Sequence, residues 1–180
     1  MEQLEVLRKV VEKLRDLDIE YMLSGSVAMN FYGQPRMTRH IDIIISIKET
    51  QIRRFIDAFK EEFYIESEMV LKEVSGKGMF NVSLNDYIVK VDFILRKDTK
   101  YDINAFERRR LVNVGDFEIC LISPEDLVPN KLLWAREGNS EIQKRDVKNI
   151  LMITDDLDFN YLRDWSKRLS VDSLLEECRS

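Results

Sequence analysis

An α+β fold, a mixed β-sheet core flanked by helices and followed by a small helical region, is what this 180-residue sequence predicts. Up to about residue 122, stretches with helical apolar spacing alternate with short β-branched runs. From Ser123 onward the pattern is helical alone. A composition 44% hydrophobic and 34% charged supports a sizeable core under a solvated surface and argues against disorder. The expected organisation is an α/β core over residues 1–122, with a helical C-terminal region, residues 123–180, packed on it.

Each element has a local reason. Leu4, Leu7, Val10, Val11, Leu14 and Leu17 recur at helical spacing, so residues 2–17 form an amphipathic helix. Residues 19–23 are a short apolar strand ending at Ser24-Gly25. Residues 26–32 make a small helix that Gly33 stops and Pro35 keeps from restarting. Residues 41–47, rich in isoleucine, suit a central strand. Apolar positions 52, 55, 56, 59 and 63 place a helix over residues 48–63.

Three strands are expected next, at 69–74, 79–84 and 87–95, with turns at Gly76-Lys77-Gly78 and Asn85-Asp86. A short helix over 101–109 follows, then a hairpin of residues 111–114 and 117–122 about Gly115-Asp116. Ser123 and Pro124 form a helix start, and two or three further helices cover residues 140–177.

A net charge of −5 excludes a broad non-specific grip on nucleic-acid phosphates, though it permits a local basic pocket. Cys120 and Cys178 match no metal or redox spacing and are expected as free thiols in a reducing compartment. The charged, amphipathic N-terminus lacks an apolar signal core, and no run approaches transmembrane length. A cytoplasmic protein without a membrane partner is the expectation.

Chemistry concentrates in two strands. Side chains alternate faces along a strand, so Ile41, Ile43, Ile45 and Ile47 share the core face of "HIDIIISI" while His40, Asp42, Ile44 and Ser46 share the other. In "KVDFIL", Asp92 lies with Lys90 and Ile94 opposite Val91 and Phe93. Each strand thus presents an acid from an apolar run. A lone carboxylate there costs several kcal/mol unless something compensates it. A structural salt bridge, with Lys90 or a loop arginine, is one compensation; a bound cation is another. Upstream, Gly25-Ser26 joins a strand to a helix start, where free N–H groups and a hydroxyl can hold phosphate or simply cap a turn.

Together these residues resemble the nucleotidyltransferase superfamily with the polymerase-beta-like fold. The stretch "GSVAMNFYGQPRMTRHIDI", followed by "VDFI", is most similar to minimal and AbiEii-type members of toxin–antitoxin and phage-defence systems. That pattern is Gly-Gly or Gly-Ser at a helix start, Gly-x-x-Arg-x-Thr, acid-hydrophobic-acid, then a third acid on a neighbouring strand. Gly25, Ser26, Gly33, Arg36, Thr38, Asp42 and Asp92 fall on it in order. "SPEDLVPNKLLWAREGNSEIQKRDVKNIL" continues the likeness, which spans about residues 20–152.

The resemblance implies an NTP substrate and transfer of a nucleoside monophosphate to a hydroxyl on RNA, protein or a small molecule. It also implies Mg²⁺, or Mn²⁺, held as two ions about 4 Å apart by an acid triad. Asp42 and Asp92 are the implied metal ligands and, with His40, the catalytic set; Gly25, Ser26, Arg36, Arg39 and Lys131 are the implied phosphate contacts. The departure is His40, which stands where the pattern has an aspartate. Mg²⁺ prefers hard oxygen ligands, so this exchange implies weakened catalysis, a changed metal preference, or a non-catalytic relative that senses nucleotide or binds a toxin or antitoxin partner.

Other polar residues have blander readings. For Arg36 and Arg39, neutralising Asp42 and meeting phosphate or acceptor are equally open roles. Lys144, Arg145 and Asp146 suggest a local helix ion pair. Trp134, Tyr161 and Trp165 suit packing, and Lys77 a hairpin tip.

Overall fold

The computed structural model describes residues 2–84 and 89–179. The turn expected at Asn85-Asp86, and Tyr87 and Ile88 of the expected 87–95 strand, lie outside the described residues. Helix α1 (Glu2–Asp16) precedes strand β1 (Glu20–Ser24), the short helix α2 (Gly25–Met29) and strand β2 (His40–Ser46). A 3-10 turn (Glu49–Gln51) leads into α3 (Ile52–Lys60), then β3 (Phe63–Tyr64), α4 (Ser67–Gly76), β4 (Met79–Leu84) and β5 (Lys90–Leu95). Helix α5 (Lys100–Glu107) and the hairpin β6 (Arg110–Val114) and β7 (Phe117–Leu121) complete the mixed part. The helices α6 (Pro124–Gly138), α7 (Glu141–Ile153), α8 (Phe159–Arg168) and α9 (Asp172–Arg179) follow.

Among the described residues the strands form one seven-stranded mixed sheet, ordered β3-β4-β5-β2-β1-β7-β6. The fold is the α+β arrangement the sequence predicts. The central strand β2 runs antiparallel to β1 and parallel to β5. Its odd-numbered isoleucines, Ile41, Ile43 and Ile45, are fully buried, as are Val91 and Phe93 of β5. Helix α3 covers this face, and Phe55 and Phe59 both pack edge-on against Phe93, with ring centroids 5.3 and 5.4 Å apart. With one face sealed by aromatic packing, the even-numbered residues of β2 and β5 must look the other way.

Four expectations need correction. Residues 69–74 are not a strand but part of α4: Val70 and Val74 are buried at helical i,i+4 spacing while Met69 and Leu71 are exposed. The expected 48–63 helix ends at Lys60, and Phe63 begins the short edge strand β3. Lys77 is no hairpin tip; it caps α4 in the left-handed region, φ 53°, and its ammonium pairs with Asp98 at 3.3 Å. Trp134 is not core: it is 49% exposed on α6. Trp165 does pack, against Tyr101.

Candidate active site

The site is assembled where β1 ends. Ser24 and Asp42 are register partners across β1 and β2, and Asp42 and Asp92 are register partners across β2 and β5. Both acids therefore sit side by side on the sheet face that α3 leaves uncovered. Beside them the chain leaves β1 through Gly25, whose φ is +64°. A side chain at this position would place its Cβ 1.9 Å from Asp42 Oδ2. Glycine is required twice over, by backbone conformation and by the approach of the carboxylate.

The Asp42 carboxyl is pushed above its ordinary value, first by burial and then by the charge of Asp92. A hydrogen bond donated by the Ser26 backbone N–H and the nearby charges of Lys131 and His40 offset this in part. Asp92 has His40 as its partner, Nδ1 to Oδ2 at 2.7 Å, with the imidazole half-exposed. Among the described residues Lys90 forms no salt bridge with Asp92 and no arginine pairs with Asp42; Arg36 pairs with Asp146. The salt bridges expected from Lys90 or a loop arginine are therefore not what compensates the two acids.

The basic residues converge elsewhere, on a carboxylate that the sequence suggests only as a local helix pair. Asp146 of α7 is fully buried and accepts from Arg36 Nε at 3.0 Å, Arg36 Nη2 at 2.9 Å and Lys131 Nζ at 2.9 Å. Lys144 instead pairs with Glu141 and Glu177. Arg36 Nη2 also donates to Ser26 Oγ at 2.6 Å, and Asn30 clasps the Arg36 backbone through its amide. Burial pushes the Asp146 carboxyl up, but the hydrogen bonds from Arg36 and Lys131 outweigh it and hold the group below its ordinary value. Burial lowers Lys131, partly countered by Asp146.

A small cavity of about 120 Å³ opens here, with Gly25, Ser26, Asp42, Asn130, Lys131 and Gln143 among its walls. The structure thus brings Gly25, Ser26, Asp42 and Lys131 together, with Arg36 behind Ser26 and Asp92 and His40 alongside. Arg39 does not join them by any side-chain contact; it is exposed, and its backbone carbonyl accepts from Lys90 N at 2.9 Å. Sequence reasoning missed Asn130, Gln143 and above all Asp146. The available signal was phase: Asp146 shares the helix face of buried Val147 and Ile150, where an acid needs a partner.

Among the described residues no group of three or more His, Cys, Asp or Glu is arranged as a metal cluster. The donor set is two neighbouring carboxylates, one of them poorly compensated. That set fits a single hard divalent cation whose remaining ligands are water or phosphate oxygens.

Residues 6–116 match the aminoglycoside-2''-adenylyltransferase family, and the chain belongs to that family. Its structural neighbours share the nucleotidyltransferase fold. An antigenic nucleotidyltransferase-like protein from Paracoccidioides brasiliensis aligns over 97% of this chain and 93% of its own, with 18% identity and a TM-score of 0.58. ANT(2")-Ia, solved in complex with adenylyl-2"-tobramycin, aligns over 99% and 98%, with 10% identity and a TM-score of 0.56. The lincosamide antibiotic adenylyltransferase LnuA, solved with lincomycin bound, aligns over 82% and 96%, with 16% identity and a TM-score of 0.54. No curated protein matches the sequence. No described helix is long and apolar enough to cross a membrane.

Proposed function

We propose that this chain is a metal-dependent nucleotidyltransferase that moves a nucleoside monophosphate from ATP, or another NTP, to a hydroxyl of a small-molecule acceptor. The observation that carries the reading is the register pairing of Asp42 with Asp92 beside the Gly25-Ser26 turn. Asp42 and Asp92 would hold Mg²⁺ or Mn²⁺, which when bound polarises the phosphate and lowers the pKa of the acceptor hydroxyl. Gly25 leaves room for Asp42, and the Ser26 N–H orients it. Lys131 faces the small cavity and supplies positive charge for a polyphosphate. Asp146 keeps Lys131 and Arg36 in place, and Arg36 in turn fixes the Ser26 hydroxyl. Arg39, exposed beside His40, is available to an incoming acceptor or phosphate. In this reading residues 1–122 are the catalytic core of a cytoplasmic enzyme, and residues 123–180 form the helical region over it.

Pyrophosphate release from NTP with Mg²⁺ or Mn²⁺ over a panel of hydroxyl acceptors, with calorimetric NTP binding alongside, tests the proposal. Metal-dependent binding and turnover that Asp42→Asn abolishes are the expected results. Absence of NTP binding with either metal overturns it.

His40 supports a second reading. It occupies the position of an acid in the superfamily pattern and binds Asp92 instead of repelling it. A nucleotide-sensing or partner-binding member of a toxin–antitoxin or defence system would keep the fold with this site. NTP binding without turnover in either metal is its signature.

A further inference from the structure

Next to the small cavity lies a much larger groove, about 750 Å³, that the proposed phosphate and metal contacts do not fill. The two share Ile94, Asn130 and Trp134, so they are continuous. The groove floor is the open face of the sheet, Ile44 and Ile94, each two residues beyond an acid of the site. Trp134, Trp165 and Tyr101 supply aromatic walls. The volume suits a ligand of drug or disaccharide size.

Its charge runs opposite to that of the chain as a whole. The chain carries a net charge of −5, yet the groove is lined by Lys77, Arg96, Lys97, Lys100 and Arg168 against Asp102 and Glu137. Lys77 and Arg96 approach Asp98, and Arg168 pairs with Asp164. Lys97 and Lys100 are exposed, with no ion pair among the described residues. None of these five basic residues lines the small cavity. A polycation entering the groove would meet like charge, and repulsion of that kind discriminates strongly against a partner. The proposed nucleotide-phosphate contacts Gly25, Ser26 and Lys131 line the small cavity, which leaves the cations along the groove to complement an anion on another molecule.

We infer that the groove takes an acceptor that is anionic and carries an apolar, ring-sized body, and that it rejects polycationic aminoglycosides. The inference rests on the transferase reading for the word acceptor; the preference for anionic ring compounds stands on the groove itself. The hydroxyl of such a ligand would reach Asp42 and Asp92 past Ile94, while its anionic group would meet Lys97 and Lys100.

The test uses 8-anilinonaphthalene-1-sulfonate, an anionic ring compound, and uncharged N-phenyl-1-naphthylamine as fluorescent probes on the intact chain. The sulfonate is expected to bind about tenfold or more weaker to K97E/K100E, and measurably weaker to K97Q/K100Q, with thermal melts unchanged. The uncharged probe should bind all three proteins alike. Saturating Mg²⁺·ATP should leave the sulfonate bound, and tobramycin should not displace it. Equal sulfonate affinity for wild type and both variants overturns the inference, as does competitive displacement by ATP or by tobramycin. Loss of ATP binding in Asp42→Asn with unchanged sulfonate binding separates the fate of the nucleotide site from that of the groove.

Discussion

Two sets of acids sit inside this protein and are treated in opposite ways. In the helical region Asp126 and Asp146 are fully buried and fully matched. Asp126 accepts from Arg108 at 3.0 Å, from Ser123 Oγ at 2.6 Å and from the Tyr161 hydroxyl, tying α5, α6 and α8 together. Asp146 ties the loop before β2 and α6 to α7 through Arg36 and Lys131. On the sheet face Asp42 and Asp92 are neighbours; His40 contacts Asp92, and Asp42 accepts from the Ser26 backbone N–H. The first set shows what a structural buried acid needs. In the second, among the described residues, no lysine or arginine side chain pairs with either acid, and that difference supports the proposed ligand site on the sheet face.

The contrast is broken or sharpened most strongly by neutralising each acid in turn. Asp42→Asn and Asp92→Asn should each lower nucleotidyl transfer by on the order of a thousandfold while leaving the apo melting temperature equal or higher. Pyrophosphate release and a thermal melt without metal measure both; a large loss of apo stability would return these acids to the structural class. Asp146→Asn should do the reverse. It removes the partner of two cations and should cost about 3 kcal/mol, a fall of roughly 6–12 °C in melting temperature. A melt within a degree of wild type would show that the Asp146 network carries no stability.

His40→Asp should raise Mg²⁺-supported transfer by at least about tenfold, because it returns a hard oxygen ligand next to Asp92. The apo protein should be less stable than wild type, since a carboxylate replaces the imidazole that Asp92 now contacts. Equal turnover of the two proteins would make His40 a working part of the site. Gly25→Ala should cost about 1–3 kcal/mol from its positive φ and displace Asp42, lowering metal-dependent NTP binding along with stability.

The smallest effect is in pH. Asp42 is raised when folded, so its contribution is favourable below its ordinary value of 3.8 and is lost as pH rises through the folded value. Asp146 is lowered when folded, so its contribution is present above 3.8 and is lost as pH falls through the folded value. The stability gap between Asp42→Asn and wild type should therefore shrink between pH 7 and pH 4. The gap for Asp146→Asn should narrow only at lower pH. Denaturant melts across that range check both signs, and a common pH dependence for the two variants would erase the distinction.

The alternation in "HIDIII" and "KVDFIL" was enough to put Asp42 and Asp92 on non-core faces, because a strand has period two and isoleucine must be buried. The Gly-Ser turn, the capped start at Ser123-Pro124 and most helices were legible for similarly local reasons. Residues 69–74 misled because Met, Val and Leu suit a strand or a helix, and the choice fell to whether Val70 and Val74 could share one buried stripe. The convergence of Arg36 and Lys131 on Asp146 joins residues 110 and 15 positions apart in the chain, and no local pattern encodes it. Nor does composition show that an acidic chain gathers cations along one groove. Sequence alone determined which residues alternate, cap and turn, since those depend on near neighbours; tertiary packing decided which charges meet, because burial and partnership exist only once the sheet and helices close on each other.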